Sequence, residues 1–179
     1  MGKKLGVISL GCSKNLVDTE MMIGILKAGG YEFIDELSDA EVIIVNTCTF
    51  IDSAKEESIE AILKAAAYKE SGKCEKLVVA GCLTQQYKKS LGKEIPEVDI
   101  FIGTDSWQHI LEAVNRSYSE ESGQVYIIDT APCEHQELIP RQTLTPNYTA
   151  FIKIAEGCSN GCTFCYIPYV RGPMRSRTM

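Results

Sequence analysis

The sequence has no apolar run longer than a strand, so nothing in it approaches the roughly 20 residues that span a bilayer. The N-terminal stretch MGKKLGVISLGCSKN breaks its apolar run with Cys12, Lys14 and Asn15, where a secretory leader needs a longer apolar region and a small-residue cleavage site. A cytoplasmic protein with no membrane partner is the expectation. Histidine is scarce: His109 and His135 are the two in 179 residues, too isolated in sequence to be assigned as metal ligands. Basic residues are few over the first 140 positions, 13 Lys/Arg against 23 Asp/Glu, which argues against a nucleic-acid surface there. The remainder is basic, with five Lys/Arg and Glu156 as its one acid, and leaves room for an anionic partner. Internal repeats and low-complexity segments are absent. At 45% hydrophobic and 23% charged, the composition is globular and long enough for one substantial core, with part of a second.

Cysteine, in contrast, is plentiful, with eight in the chain. In a reducing compartment these read as thiolate ligands, nucleophiles or buried small side chains rather than a disulfide framework.

The apolar pattern alternates between two periods. LGVISL (5–10), YEFID, EVIIVNTC, KLVVAGC, VDIFIG and QVYIID read as strands. Between them, NLVDTEMMIGILKAGG places Val17, Met21 and Ile25 on one helical face and stops at Gly29-Gly30. SAKE at 53–56 fits a capping box, and Ile59, Ile62, Leu63 and Ala66 recur at helical spacing after it. TQQYKKSLGKEI and DSWQHILEAVNRS complete the helices. Such alternation predicts an α/β fold with a mostly parallel sheet covered by helices on both faces. Three prolines without a period mark 131–148 as a linker. TAFIKIAEG then reopens a strand, so the expected organisation is an α/β domain over 1–130, the linker, and a second unit starting at 149.

Position sorts the cysteines. Cys12 follows VISLG, Cys48 follows VIIVNT and Cys82 follows LVVAG, each just past a strand. In a parallel sheet those ends share one edge, the edge where open α/β sheets bind ligands, so three thiols distant in sequence are expected to converge. Cys74 and Cys133 have no such placement and read as packing residues.

The second set is AEGCSNGCTFCYIPYVRG, with Cys158, Cys162 and Cys165 spaced C-x3-C-x2-C on a loop that holds Gly157 and Gly161. Three thiolates can each bind a different iron of one cubane and leave the fourth iron open. An open coordination position separates a reactive metal site from a closed structural one. Zinc is the rival metal, but no fourth Cys or His lies near the loop.

The loop CSNGCTFC resembles the radical S-adenosylmethionine signature. With GCSKNLVDTE, NTCTFIDSAKEESI, AGCLTQQY, IPEVDIFIG and KIAEGCSNGCTFCYIPYVRGPMRSR, the resemblance extends over nearly the whole chain to the methylthiotransferase family. It implies two 4Fe-4S clusters, with Cys12, Cys48 and Cys82 holding one that carries sulfur and Cys158, Cys162 and Cys165 holding the other. At the second cluster, S-adenosyl-L-methionine binds the open iron and is cleaved by an electron from the cluster, which an electron donor must supply. The product is a radical able to attack an unactivated C–H bond, and a second S-adenosylmethionine gives the methyl group.

Phe164 and Tyr166 flank Cys165, and by resemblance one of them lies near the adenine; packing the loop onto a barrel is the alternative. Asn15 and Asn46 suit either hydrogen bonds to sulfur or turn and cap duty. Arg171, Arg175 and Arg177 suit either a substrate carboxylate or phosphate, or a solvated basic tail. LGCSKN and NTCTFIDSAKEES resemble the branch that modifies an aspartate β-carbon in a small-subunit ribosomal protein rather than the tRNA-modifying branch. An acidic first domain also suits a basic ribosomal protein better than tRNA.

The family's barrel and small C-terminal domain would continue past Met179, so the 149–179 segment is expected to be the start of a radical S-adenosylmethionine domain. The chain alone is expected not to turn over. A non-catalytic iron–sulfur-binding or docking domain and a zinc-binding interaction domain are the alternatives for the chain by itself. A lone barrel strand has unsatisfied edges, so residues beyond about 150 are expected to be disordered or paired with another chain.

Overall fold

The computed structural model describes residues 2–119, 123–130 and 138–177. Cys133 and His135 lie outside the described residues. Six strands, β1 (Lys4–Ser9), β2 (Glu32–Phe33), β3 (Val42–Thr47), β4 (Lys76–Gly81), β5 (Ile100–Ile102) and β6 (Val125–Ile127), form one sheet in the order β2-β1-β3-β4-β5-β6, and every pairing is parallel. The α/β expectation holds, and so does each predicted strand of this sheet.

Successive strand residues point to opposite faces, and here both faces are covered. Val42, Ile44, Val78, Ala80, Ile100 and Ile102 join a core under α1 (Ser13–Ala28) and α5 (Ile110–Ser119). Ile43, Val45, Leu77, Val79 and Phe101 join a second core under α2 (Asp52–Ser71), α3 (Cys82–Tyr87) and α4 (Lys89–Glu94). Burial on both sides is why β3 reads as an unbroken apolar run instead of an alternating one. Among the described residues, no helix is long and apolar enough to cross a membrane.

Three local expectations change. The run 84–95 is two helices, broken at Lys88, whose φ of 48° no helix continues through. The capping box at 53–56 does not form: α2 starts at Asp52 after an Ile51 cap that lacks a side-chain bond, and Asp52 pairs instead with Lys55 at 2.8 Å. The apolar face of α2 is also rotated, because Ser58, Ile62 and Ala65 are buried while Ile59 and Leu63 are exposed. Ser58 sets that rotation. Its hydroxyl accepts from the Cys48 amide at 3.0 Å and donates to the Cys48 carbonyl at 2.9 Å, which turns this face of the helix toward the end of β3.

The segment 149–157 is not the strand its sequence suggests. It forms only β7 (Ala155–Glu156), antiparallel to β8 (Arg175–Ser176), with α6 (Ile167–Arg171) between them. Nor is it left without partners within the chain: buried ion pairs and the Thr104 hydroxyl, which donates to the Val170 carbonyl at 2.5 Å, seat it on the ends of the sheet strands. The segment before it runs against α1, where any side chain at Gly24 would meet the Pro140 carbonyl.

Candidate metal centre

Strand order reverses direction at β1, which has β2 on one side and β3 on the other. Ligand sites of open α/β sheets form at the carboxyl ends of strands around such a point. Register there is continuous: Ser9 pairs with Asn46, Asn46 with Ala80, and Thr47 with Gly81. Cys48 and Cys82 therefore leave adjacent strands at the same level, and Cys12 leaves the third beside them.

Close backbone approach draws the trio together. Gly11 has φ +86°, and a Cβ built on it would lie 2.8 Å from the Cys48 Cβ and 3.1 Å from its Sγ, so the turn into Cys12 passes directly against Cys48. Cys82 starts α3, and its Sγ lies 3.8 Å from Asn15 Oδ1. Burial is the main influence pushing the Cys82 thiol up to about 11; the Arg171 guanidinium opposes it, and the Cys48 and Cys12 sulfurs add to it. Cys12 is exposed, Cys48 half-buried and Cys82 buried, so the site grades from solvent to core. Cys74 lies in the core, where burial raises its thiol to about 11, as a packing residue's would be.

This donor set fits an iron–sulfur cubane. It is all sulfur, it surrounds a turn that only a glycine can make, and a cubane takes each thiolate on a different iron. Among the described residues, no three Cys, His, Asp or Glu side chains meet around a single ion, and cubane ligation does not require that they do.

Asn15 and Asn46 do not donate to sulfur. Both amide hydrogens of Asn15 are used on main-chain carbonyls, Leu10 at 3.0 Å and Thr47 at 2.9 Å. Those of Asn46 go to the Asn15 carbonyl and the Thr19 hydroxyl, each at 2.8 Å. The two asparagines are braces for the strand ends that carry Cys12 and Cys48.

The second trio sits on the loop between β7 and α6. Gly157, at φ +71°, begins it, and a Cβ there would fall 2.5 Å from the Gly172 carbonyl. The Cys158 amide donates to that same carbonyl at 3.1 Å, and the Cys165 amide to the Cys162 carbonyl at 3.1 Å. Cys162 is exposed, Cys158 and Cys165 half-buried. Phe164 is 85% exposed, too open to pack the loop against the other described residues, while Tyr166 lies against Tyr169 with ring centroids 5.2 Å apart.

Residues 4–103 match the model of the uncharacterized protein family UPF0004. The chain belongs to this family. It is also similar throughout to proteins named ribosomal protein uS12 methylthiotransferase RimO. The one from Pelotomaculum thermopropionicum is 50% identical over 179 residues, 100% of this chain and 40% of the relative. The Natranaerobius thermophilus protein is 49% identical over 176 residues, 98% and 39% of the two chains. That of Clostridioides difficile is 48% identical over 174 residues, 97% and 39%. The chain thus spans about 40% of the length of these curated relatives. The family match covers Cys12, Cys48 and Cys82 and ends before the second trio.

Between the two trios lies a buried ion network that the sequence did not announce. Arg171 Nη1 donates to Asp18 Oδ2 at 3.2 Å and to Glu156 Oε2 at 2.9 Å, and Nη2 donates to Asn15 Oδ1. Lys153 pairs with Asp18 and with Glu156, the latter at 2.8 Å, and lies 5.7 Å from the Trp107 ring. Lys14 approaches Glu156 at 3.6 Å. Arg171 is therefore neither a solvated tail residue nor a free substrate contact, and Arg175 is bound to Asp105 through two contacts of 2.8 Å. Burial acts to raise the Glu156 carboxyl, but Arg171 and Lys153 outweigh it and hold it at about 2. Burial would lower Lys153, yet Asp18 and Glu156 raise it, and the same carboxylates hold Arg171 charged. One faint signal existed: Lys153 interrupts the otherwise apolar FIKIA, three residues before Glu156.

Proposed function

We propose that this chain is the cluster-holding part of a methylthiotransferase that acts on ribosomal protein uS12, adding a methylthio group to an aspartate β-carbon by radical S-adenosylmethionine chemistry. The observation that carries the reading is the meeting of Cys12, Cys48 and Cys82 at the ends of three adjacent parallel strands, in a chain about half identical to relatives named for that activity.

When bound, two 4Fe-4S clusters and S-adenosyl-L-methionine supply the one-electron and sulfur chemistry that an unactivated C–H bond demands. In this reading Cys12, Cys48 and Cys82 hold the sulfur-carrying cluster, while Cys158, Cys162 and Cys165 hold the cluster at which S-adenosylmethionine binds. Gly11 lets the first loop close on Cys48, and Asn15 and Asn46 keep the strand ends at one level. Of the exposed pair Phe164 and Tyr166, one would lie near the adenine. Residues 1–130 form the first domain, 131–148 the linker, and 149–179 the start of the radical domain. The acidic first domain suits a basic protein partner over tRNA, and an external electron donor is required. The chain spans about 40% of the length of the relatives named for the activity, so by itself it is expected to bind iron without turnover.

The test is iron and acid-labile sulfide per chain after anaerobic reconstitution, in the wild type and in the Cys12→Ala/Cys48→Ala/Cys82→Ala variant. Two clusters give about eight irons, falling to about four in the variant. Equal iron in both proteins would refute the assignment of the first trio. In the complete enzyme, reduced and free of air, S-adenosylmethionine cleavage and methylthiolation of uS12 should follow; iron without either would leave a non-catalytic binding domain.

A further inference from the structure

Arg171 joins the two cysteine sites through one planar group. It ends α6, six residues after Cys165, and is 4% exposed. Asp18 and Glu156 fix Nη1 from two sides, and Asn15 receives Nη2. The Cys82 sulfur lies 3.8 Å from that same Asn15 Oδ1, so the guanidinium and the sulfur meet at one oxygen.

Asn15 has no amide hydrogen left for the Cys82 sulfur. Asn15 presents its oxygen to Cys82 and has spent both amide hydrogens on Leu10 and Thr47. Once Cys82 is a thiolate it has no proton for that oxygen, and the group that shares the oxygen is a cation with N–H donors. Arg171 carries five such N–H donors in a rigid fork and stays charged under all ordinary conditions.

We propose that Arg171 is a positioning residue for the Cys12, Cys48 and Cys82 site: its guanidinium, fixed by Asp18 and Glu156, donates to the Cys82 sulfur and raises the reduction potential of the cluster held there. The inference rests on the assignment of those cysteines as cluster ligands. Reduction adds one negative charge to a cluster, and both a hydrogen bond to sulfur and a nearby cation favour the reduced form. Burial strengthens both influences, since little water screens them. Glu156 stands two residues before Cys158, so the group that tunes one site is anchored at the root of the other loop.

The measurement is an anaerobic redox titration followed by electron paramagnetic resonance, in a Cys158→Ala/Cys162→Ala/Cys165→Ala background so that one cluster is read alone. Arg171→Gln should keep four irons, move the midpoint potential negative and change the g values. Arg171→Lys keeps the charge without the fork and should shift the potential in the same direction by less. An Arg171→Gln protein with four irons, wild-type potential and wild-type spectrum overturns the proposal. If Arg171→Gln does not fold, Arg171→Lys decides it: a negative shift supports the role, an unchanged potential refutes it. A background protein that binds no iron instead overturns the ligand assignment beneath the proposal, a result distinct from iron bound with an unmoved potential.

Discussion

Asn46 donates to the main-chain carbonyl of Asn15 at 2.8 Å, while Asn15 reaches back to the carbonyl of Thr47, the residue after Asn46, at 2.9 Å. This reciprocal pair ties the start of α1 to the end of β3, and with them the turns that carry Cys12 and Cys48. Asn46→Ala leaves the Asn15 carbonyl and the Thr19 hydroxyl without this donor in a buried site. Both acceptors keep a second partner, Thr19 for the Asn15 carbonyl and Ser9 for the Thr19 hydroxyl, so the expected cost is about 1–3 kcal/mol, seen as a melting temperature roughly 2–12 °C lower for a chain of this size. Reconstituted iron at the first trio should fall with it. A melt unchanged from wild type would show that the pair does not brace the site.

Two glycines of nearly equal φ separate backbone strain from crowding. Gly81 (φ +94°) leads into Cys82, and a Cβ there would meet the Thr47 carbonyl at 2.7 Å and the Thr47 amide at 3.1 Å. Gly30 (φ +93°) has nothing within 4 Å. Gly30→Ala should show the backbone term alone, about 1–3 kcal/mol, with iron binding intact. Gly81→Ala should cost more and lower the iron reconstituted at Cys12, Cys48 and Cys82. Equal denaturation midpoints and equal iron contents in the two variants would contradict this account.

Glu20 has a fully buried side chain, and Arg141 holds it with Nε at 2.8 Å and Nη2 at 2.5 Å on the same oxygen. The Leu144 amide takes the other oxygen at 2.7 Å. Arg141→Ala strands a buried carboxylate, which should cost about 3 kcal/mol, the lower end for such losses because Arg141 itself is partly exposed. It should also open the segment after 138 to limited proteolysis. Glu20→Leu/Arg141→Met removes both charges and should recover most of the urea midpoint; no recovery would place the stability elsewhere.

Acid should loosen the junction between the two cysteine sites. Glu156 is held at about 2, below its ordinary value, so its charged form stabilises the fold above the unfolded carboxylate's pKa. That contribution, about 3 kcal/mol from a shift of this size, is lost as pH falls from about 5 toward 2. Asp105, raised by burial against the opposing pull of Arg175, works in the contrary direction and offsets part of the loss. Urea midpoints measured from pH 6 to pH 3 should fall in the wild type and fall less steeply in Glu156→Gln, which starts lower because Arg171 and Lys153 lose a charged partner. Parallel slopes in the two proteins would exclude Glu156 as the titrating group.

The sheet was readable because its strands are buried on both faces, so VIIVNT and KLVVAG stand out as apolar runs of strand length. The cysteine edge followed from those runs, since each ends one residue before Cys48 or Cys82 and three before Cys12. The α2 face was misread because periodicity weighs only apolarity, and a serine that bonds both main-chain groups of Cys48 rotated the helix. TAFIKIAEG has the composition of a strand, yet a strand needs a neighbour to pair with, and here only Ala155 and Glu156 find one.

Local pattern thus determined the α/β layering, the parallel sheet and the two cysteine groups, because burial and backbone pairing act through nearest neighbours and repeat at short period. The tertiary structure alone decided how the second cysteine loop meets the first. Arg171 and Asp18 are 153 positions apart, and Lys153 and Asp18 are 135 apart. A charge carries no mark in sequence of which opposite charge will be buried beside it; that choice is made when folding removes the water between them.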